Sequence, residues 1–154
     1  LAATLDAFAN GRETIIISAA LSDKSGWSEI QIDFDHICDS RLSPTKNAQE
    51  SSAENIVTER VALTTIDEIV QKHSLGCDGM IKMDIEGYEM DALSGAVNVM
   101  RDYKPSLAIA VYHEFENAKV CADIIREANP SYNIEFRGYY GYFDPPRPYM
   151  VFAY

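Results

Sequence analysis

Apolar positions follow two rhythms along the chain, unbroken runs and a helical three-four spacing, and their alternation predicts an α/β domain. Leu1 to Ala9 reads as a helix already under way, with Leu1, Leu5 and Phe8 on one face and Asn10-Gly11 as its stop. Thr14 to Leu21 is β-branched and continuous enough for a buried strand, and it runs into the turn signal Ser22-Asp23-Lys24-Ser25-Gly26. Trp27 to Phe34 alternates as a half-exposed strand does, and Ile56 to Leu63 is a candidate partner for it. Between them, Asp35 to Glu54 is polar and without period, which predicts a long, mobile surface loop.

The second half of the chain is more regular. Thr65-Ile66-Asp67-Glu68 has the form of a capping box, with Thr65 accepting from the Glu68 amide and Glu68 reaching back to Thr65. A short helix with Ile66, Ile69 and Val70 inward follows, closed at Gly76. Met80 to Glu86 reads as a buried parallel strand, and Leu93, Ala96, Val97 and Met100 mark the packed face of the next helix. Pro105 ends that unit. Leu107 to Tyr112 is a second continuous strand, Asn117 to Ala128 a helix burying Val120, Cys121, Ile124 and Ile125, and Ile134 to Tyr140 with Tyr149 to Tyr154 a closing strand pair.

The chemistry concentrates where the two best strands end. Asp84 and Glu86 interrupt an apolar run just before Gly87, and His113 follows the other strand directly. Strands joined by a helical crossover are usually neighbours, so these three side chains are expected at one sheet edge, where open α/β sheets hold ligands.

Charge and cysteine usage narrow the field. A formal charge of -11, with 13 scattered Lys and Arg, argues against a sequence-independent grip on nucleic acid. Cys38, Cys77 and Cys121 form no CxxC pair and leave an odd thiol in any disulfide scheme, which points away from zinc and toward a reducing, cytoplasmic setting. No apolar run approaches the ~18 residues of a membrane span. At 154 residues the chain is expected to form one domain.

The run Lys82-Met83-Asp84-Ile85-Glu86-Gly87-Tyr88-Glu89-Met90-Asp91-Ala92-Leu93-Ser94-Gly95-Ala96, then Lys104-Pro105 and a strand into Tyr112-His113, resembles the FkbM-type S-adenosylmethionine-dependent methyltransferases. Upstream, Ala19 to Gly26 and Thr64-Thr65-Ile66-Asp67 resemble the same family in the same order. The likeness covers about Ile15 to Tyr154, and Lys82 to Ala96 is its specific part.

The resemblance implies a Rossmann-like class I methyltransferase sandwich, with a mostly parallel sheet ending in an antiparallel hairpin, and methyl transfer from S-adenosylmethionine to a hydroxyl oxygen. The acceptor would be a small molecule, sugar or lipid-like alcohol. The family's glycine-rich first strand and its acid-tipped second strand have no counterpart here, so residues 1–154 are expected to be the C-terminal two-thirds of a family domain, truncated at the N-terminus, with a gap in the sheet.

On this resemblance Asp84 faces the methionine portion of the donor, Ser22 and Asp23 the adenine, and Gly87 permits close approach. His113, or Glu86, takes the acceptor's proton. Each has a plainer alternative: Asp84 pairing with Lys82, Glu86 compensating a helix N-terminus, Ser22-Asp23 as turn chemistry, His113 as a satisfied strand-end residue. Tyr139, Tyr140 and Tyr142 either line an acceptor pocket or pack the hairpin, while Arg137 and Arg147 are expected at the solvated surface, with steering of an anionic acceptor as their alternative role. Two rival functions are a metal-dependent enzyme using Asp84, Glu86 and His113, and a truncated, non-catalytic interaction domain.

Overall fold

A computed structural model describes residues 14–33, 41–42, 56–76, 79–142 and 144–154. The expected helix at Leu1 to Ala9, most of the Asp35 to Glu54 loop, Cys38 and Cys77 lie outside the described residues.

Among the described residues two four-stranded sheets form, not one. The first contains β1 (Ala20–Leu21), β2 (Gly26–Asp33), β3 (Arg41–Leu42) and β4 (Ile56–Thr64), in the order β1-β4-β2-β3. The expected pairing of the two segments flanking the loop is present, β2 running antiparallel to β4 from Gly26↔Leu63 to Asp33↔Ile56. The expected strand from Thr14 shrinks to Ala20–Leu21, which pairs parallel with β4, while Ile15, Ile16 and Ile17 stay exposed. β-Branched residues favour extended backbone, yet a strand also needs a partner for its N–H and C=O groups. Within the expected loop, Arg41–Leu42 pairs with β2 as β3.

The second sheet takes β5 (Met80–Met83), β6 (Ser106–Ala110), β7 (Ile134–Tyr140) and β8 (Arg147–Ala153), in the order β5-β6-β8-β7. β5 and β6 are parallel, and β8 inserts antiparallel between β6 and β7. The mostly parallel sheet is therefore corrected to mixed sheets: of the six strand pairings among the described residues, two are parallel.

Four helices are described, α1 (Ile66–His73), α2 (Glu89–Ser94), α3 (Val97–Tyr103) and α4 (Asn117–Ala128). The Glu68 amide donates to Thr65 Oγ1 at 3.1 Å, as the capping pattern predicts. The Glu68 carboxylate reaches back to the Thr65 backbone and also accepts from the Ser25 and Thr64 hydroxyls. Ser74, in the left-handed region at φ 49°, closes α1 in place of Gly76. The single helix expected over Leu93 to Met100 is two, α2 and α3, broken at Gly95-Ala96. Its predicted face is still inward, with Leu93, Ala96 and Met100 fully buried against Leu107, Ile109, Ile125 and Val151. All of this core belongs to the second sheet and its helices, so the ends of β5 and β6 stand on the best-packed part of the chain.

Candidate active site

Parallel register sets the site. Met80 lies opposite Ser106 and Met83 opposite Ile109, so the chain leaves β5 and β6 side by side, with Asp84 to Glu86 next to Val111 to His113. Beyond β5 the backbone reverses through two residues of positive φ, Glu86 at 58° and Gly87 at 95°. Gly87, without a β-carbon, adopts such a conformation at no steric cost. For Glu86 the left-handed region carries a cost of about 1–3 kcal/mol, met where surrounding structure over-determines the turn. That structure includes Glu89, whose Oε1 accepts from the Ile85 amide at 2.8 Å and pins the turn from the first residue of α2.

His113 sits among three carboxylates. Its Nε2 lies 3.5 Å from Asp84 Oδ1 and 3.3 Å from Glu89 Oε1, and its Nδ1 lies 3.7 Å from Glu86 Oε2. The expected convergence of Asp84, Glu86 and His113 is thus present, although β5 stops at Met83 and the two acids approach the imidazole from different sides. Asp84 is also 3.7 Å from Lys82 Nζ, so its plainer pairing role coexists with its place in the cluster. The His113 side chain is largely buried, whereas Asp84 and Glu86 keep the mouth of the cluster open to solvent, at 31% and 39% exposure.

Aromatic rings form one wall. Tyr112 stacks on Tyr149, with centroids 5.0 Å apart and planes 12° apart, and lies 4.8 Å from Tyr140 and 4.1 Å from His113. Its hydroxyl donates to Asp84 Oδ1 at 3.3 Å. Burial, then the charges of Asp84 and Glu86, push the Tyr112 phenol up to about 12, so it stays a donor at neutral pH. Of the three tyrosines singled out in the hairpin, Tyr140 joins this wall, whereas Tyr139 and Tyr142 are exposed. Arg147, expected at the solvated surface, donates from Nη1 to the carbonyls of Tyr112 (3.2 Å) and His113 (2.6 Å) and so fixes the backbone that carries the histidine. Arg137 does stay outside, paired with Glu135 at 2.6 Å.

Ser22 and Asp23 occupy the end of β1. Ser22 is buried, donates from its hydroxyl to Asp23 Oδ1 at 3.1 Å and from its amide to the Thr64 carbonyl, and packs on Gly95. Their contacts run to these groups and to Lys24 rather than to the carboxylate cluster. Between the two sheets lies a cavity of about 760 Å³, lined by Ile17, Leu21, Trp27 and Arg60 on one side and Ile85 and Tyr88 on the other.

The model of the methyltransferase FkbM domain matches residues 6–139. The chain belongs to the FkbM methyltransferase family. Among solved structures, the FkbM methyltransferase from Methylobacillus flagellatus KT, a crystal structure at 2.20 Å resolution, superposes with a TM-score of 0.64 at 20% identity. The match covers 99% of this chain and 32% of that one, so this chain spans about a third of that FkbM protein's length and shares its fold. No curated protein matches the chain.

Of the residues around His113, Glu89 is not singled out by the sequence, and Arg147 is weighed there only as an anion-steering or surface residue. Glu89 carried a legible signal: it stands at the i position of the face continued by Ala92, Leu93 and Ala96, so a carboxylate was being placed on the buried side of a helix. Arg147 carried none, because its partners are backbone carbonyls more than thirty residues away.

Proposed function

We propose that this chain serves in S-adenosylmethionine-dependent transfer of a methyl group to a hydroxyl oxygen of a small-molecule, sugar or lipid-like acceptor. The observation that carries the reading is His113 held beside Glu86 and Asp84 at the carboxyl ends of two adjacent parallel strands. An alcohol must lose its proton as the carbon-oxygen bond forms, and this pair offers a proton acceptor there. Glu86 orients the ring through Nδ1 or receives the proton itself.

Support for the donor comes from the chain's own groups. Asp84 would hold the ammonium of the methionine portion, Ser22 and Asp23 the adenosine end, and Gly87 would leave room for close approach. The apolar cavity bounded by Leu21 and Ile85 opens between those two strand ends. When bound, the donor supplies an electrophilic methyl. The chain's part is to align the acceptor oxygen, exclude water behind the Tyr112, Tyr140 and Tyr149 wall, and take up the proton.

Calorimetric titration of S-adenosylhomocysteine into the 154-residue chain tests the reading. Binding near micromolar, about -8 kcal/mol, is expected, with Asp84→Asn at least tenfold weaker. No heat at ~1 mM ligand would sink the claim that this chain holds the donor.

A further inference from the structure

The carboxylate cluster contains more than proton transfer requires. Glu89 is 0% exposed and spends one oxygen on the Ile85 amide, while its other oxygen, Oε2, has no hydrogen-bond partner within the chain. His113 Nε2 is also buried without one. It lies 3.3 Å from Glu89 Oε1, close enough for charge to matter but not aligned for a hydrogen bond. A buried carboxylate with an unmet oxygen costs several kcal/mol unless a cation stands near it. Of the basic side chains near the cluster, Lys82 meets Asp84 from the solvent side, and Arg147 donates to the carbonyls of Tyr112 and His113.

We propose that Asp84, Glu89 and His113 form a site for one divalent metal ion, of the Mn²⁺ class. Each offers one ligand atom, and these atoms all lie within 4.8 Å of one another. Ligands at ~2.1 Å from a cation stand ~3.0 Å apart at right angles and ~4.2 Å apart in line. The 3.5 Å and 3.3 Å separations of His113 Nε2 from Asp84 and Glu89 fall inside that range. Two carboxylates and one imidazole suit Mn²⁺ better than the softer ions that thiolates select. Glu86, 3.7 Å from Nδ1 of the same ring, is placed to accept the other imidazole proton, the outer-shell arrangement that fixes a metal-binding histidine. The set differs from the one expected from sequence, because Glu89 replaces Glu86 as a ligand. The open mouth at Asp84 leaves positions for water or an acceptor oxygen. A cation there would lower the acceptor hydroxyl's pKa, the proton leaving to solvent through the open mouth at Asp84, a use that rests on the methyl-transfer reading although the binding does not.

The test titrates Mn²⁺ alone into the full chain, following loss of the free-ion signal by electron paramagnetic resonance. One ion per chain, half-saturating below about 100 μM, is expected. Asp84→Asn, at an open position, and Glu89→Gln, which keeps the oxygen facing the Ile85 amide, should each weaken binding at least about tenfold. Circular dichroism reports whether either variant is unfolded, and Asp84→Asn decides the matter if Glu89→Gln is. Absence of bound Mn²⁺ at ~1 mM, or unchanged affinity in a folded Asp84→Asn, overturns the site. S-adenosylhomocysteine bound by a chain that binds no Mn²⁺ would overturn the metal site alone and leave the methyl-transfer reading intact.

Discussion

Gly95 lies so close to Ser22 that a β-carbon built on it would stand 2.2 Å from the Ser22 carbonyl oxygen. This contact seats the turn between α2 and α3 on the end of β1, and the Asp67 amide adds a bond to the Gly95 carbonyl at 2.9 Å. The end of the first sheet meets the helices of the second there. The obstacle is backbone and cannot swing aside, so Gly95→Ala should cost about 2–3 kcal/mol in urea unfolding. A loss under ~0.5 kcal/mol would show that the two halves separate freely at this point.

Asp67 caps a helix it does not belong to. Its Oδ2 accepts from the Asn98 amide at 3.1 Å and from Asn98 Nδ2 at 2.7 Å, and its Oδ1 accepts from the Val99 amide at 2.9 Å, while Ala96 at the start of α3 provides no side-chain cap. Asp67→Ala should therefore lower stability by about 1–2 kcal/mol. Amide exchange at Asn98 and Val99 should quicken more than in α4, and equal protection in both helices would dismiss the cap.

Two tyrosines set an alkaline limit. Burial pushes the Tyr132 hydroxyl up to about 12, and it donates to the Pro105 carbonyl at 2.8 Å. Tyr112 is raised to about 12 by burial and by Asp84 and Glu86. Unfolded phenols ionise near pH 10, so between about pH 10 and 12 the folded chain binds more protons than the unfolded one. Their stabilisation is whole below pH 10 and is lost as pH rises toward 12. Denaturation midpoints across this range should fall, and Tyr132→Phe should flatten the fall while losing about 1–2 kcal/mol at neutral pH. An equally steep decline in Tyr132→Phe and Tyr112→Phe would place its origin elsewhere.

His113→Ala separates binding from transfer. In an FkbM protein able to turn over, the change should leave S-adenosylhomocysteine affinity within about twofold and lower the methyl-transfer rate at least ~100-fold. Turnover near normal would remove His113 from the reaction.

Much of the architecture was legible because its causes are local. Asn117–Ala128 and Ile134–Tyr140 have the predicted bounds, since periodicity and flanking prolines act within a few residues. The meeting of Asp84, Glu86 and His113 followed from one rule, that strands joined by a helical crossover are usually neighbours. What needed distant partners was not legible. Thr14 to Leu21 has strand-forming residues throughout, yet only Ala20–Leu21 finds a neighbour. β8 lies beside β6, and β7 takes the edge, an order no local pattern encodes. Glu89 and Arg147 gained their roles from a turn folded over one and carbonyls brought to the other. The sequence by itself determined which segments become helix or extended chain and which strand ends carry charge, because backbone preference and apolar spacing are properties of neighbours along the chain. Only the tertiary structure decided how many sheets form and which carboxylate is sealed against His113, because both depend on surfaces that meet across long separations and on which polar groups that meeting leaves unpaired.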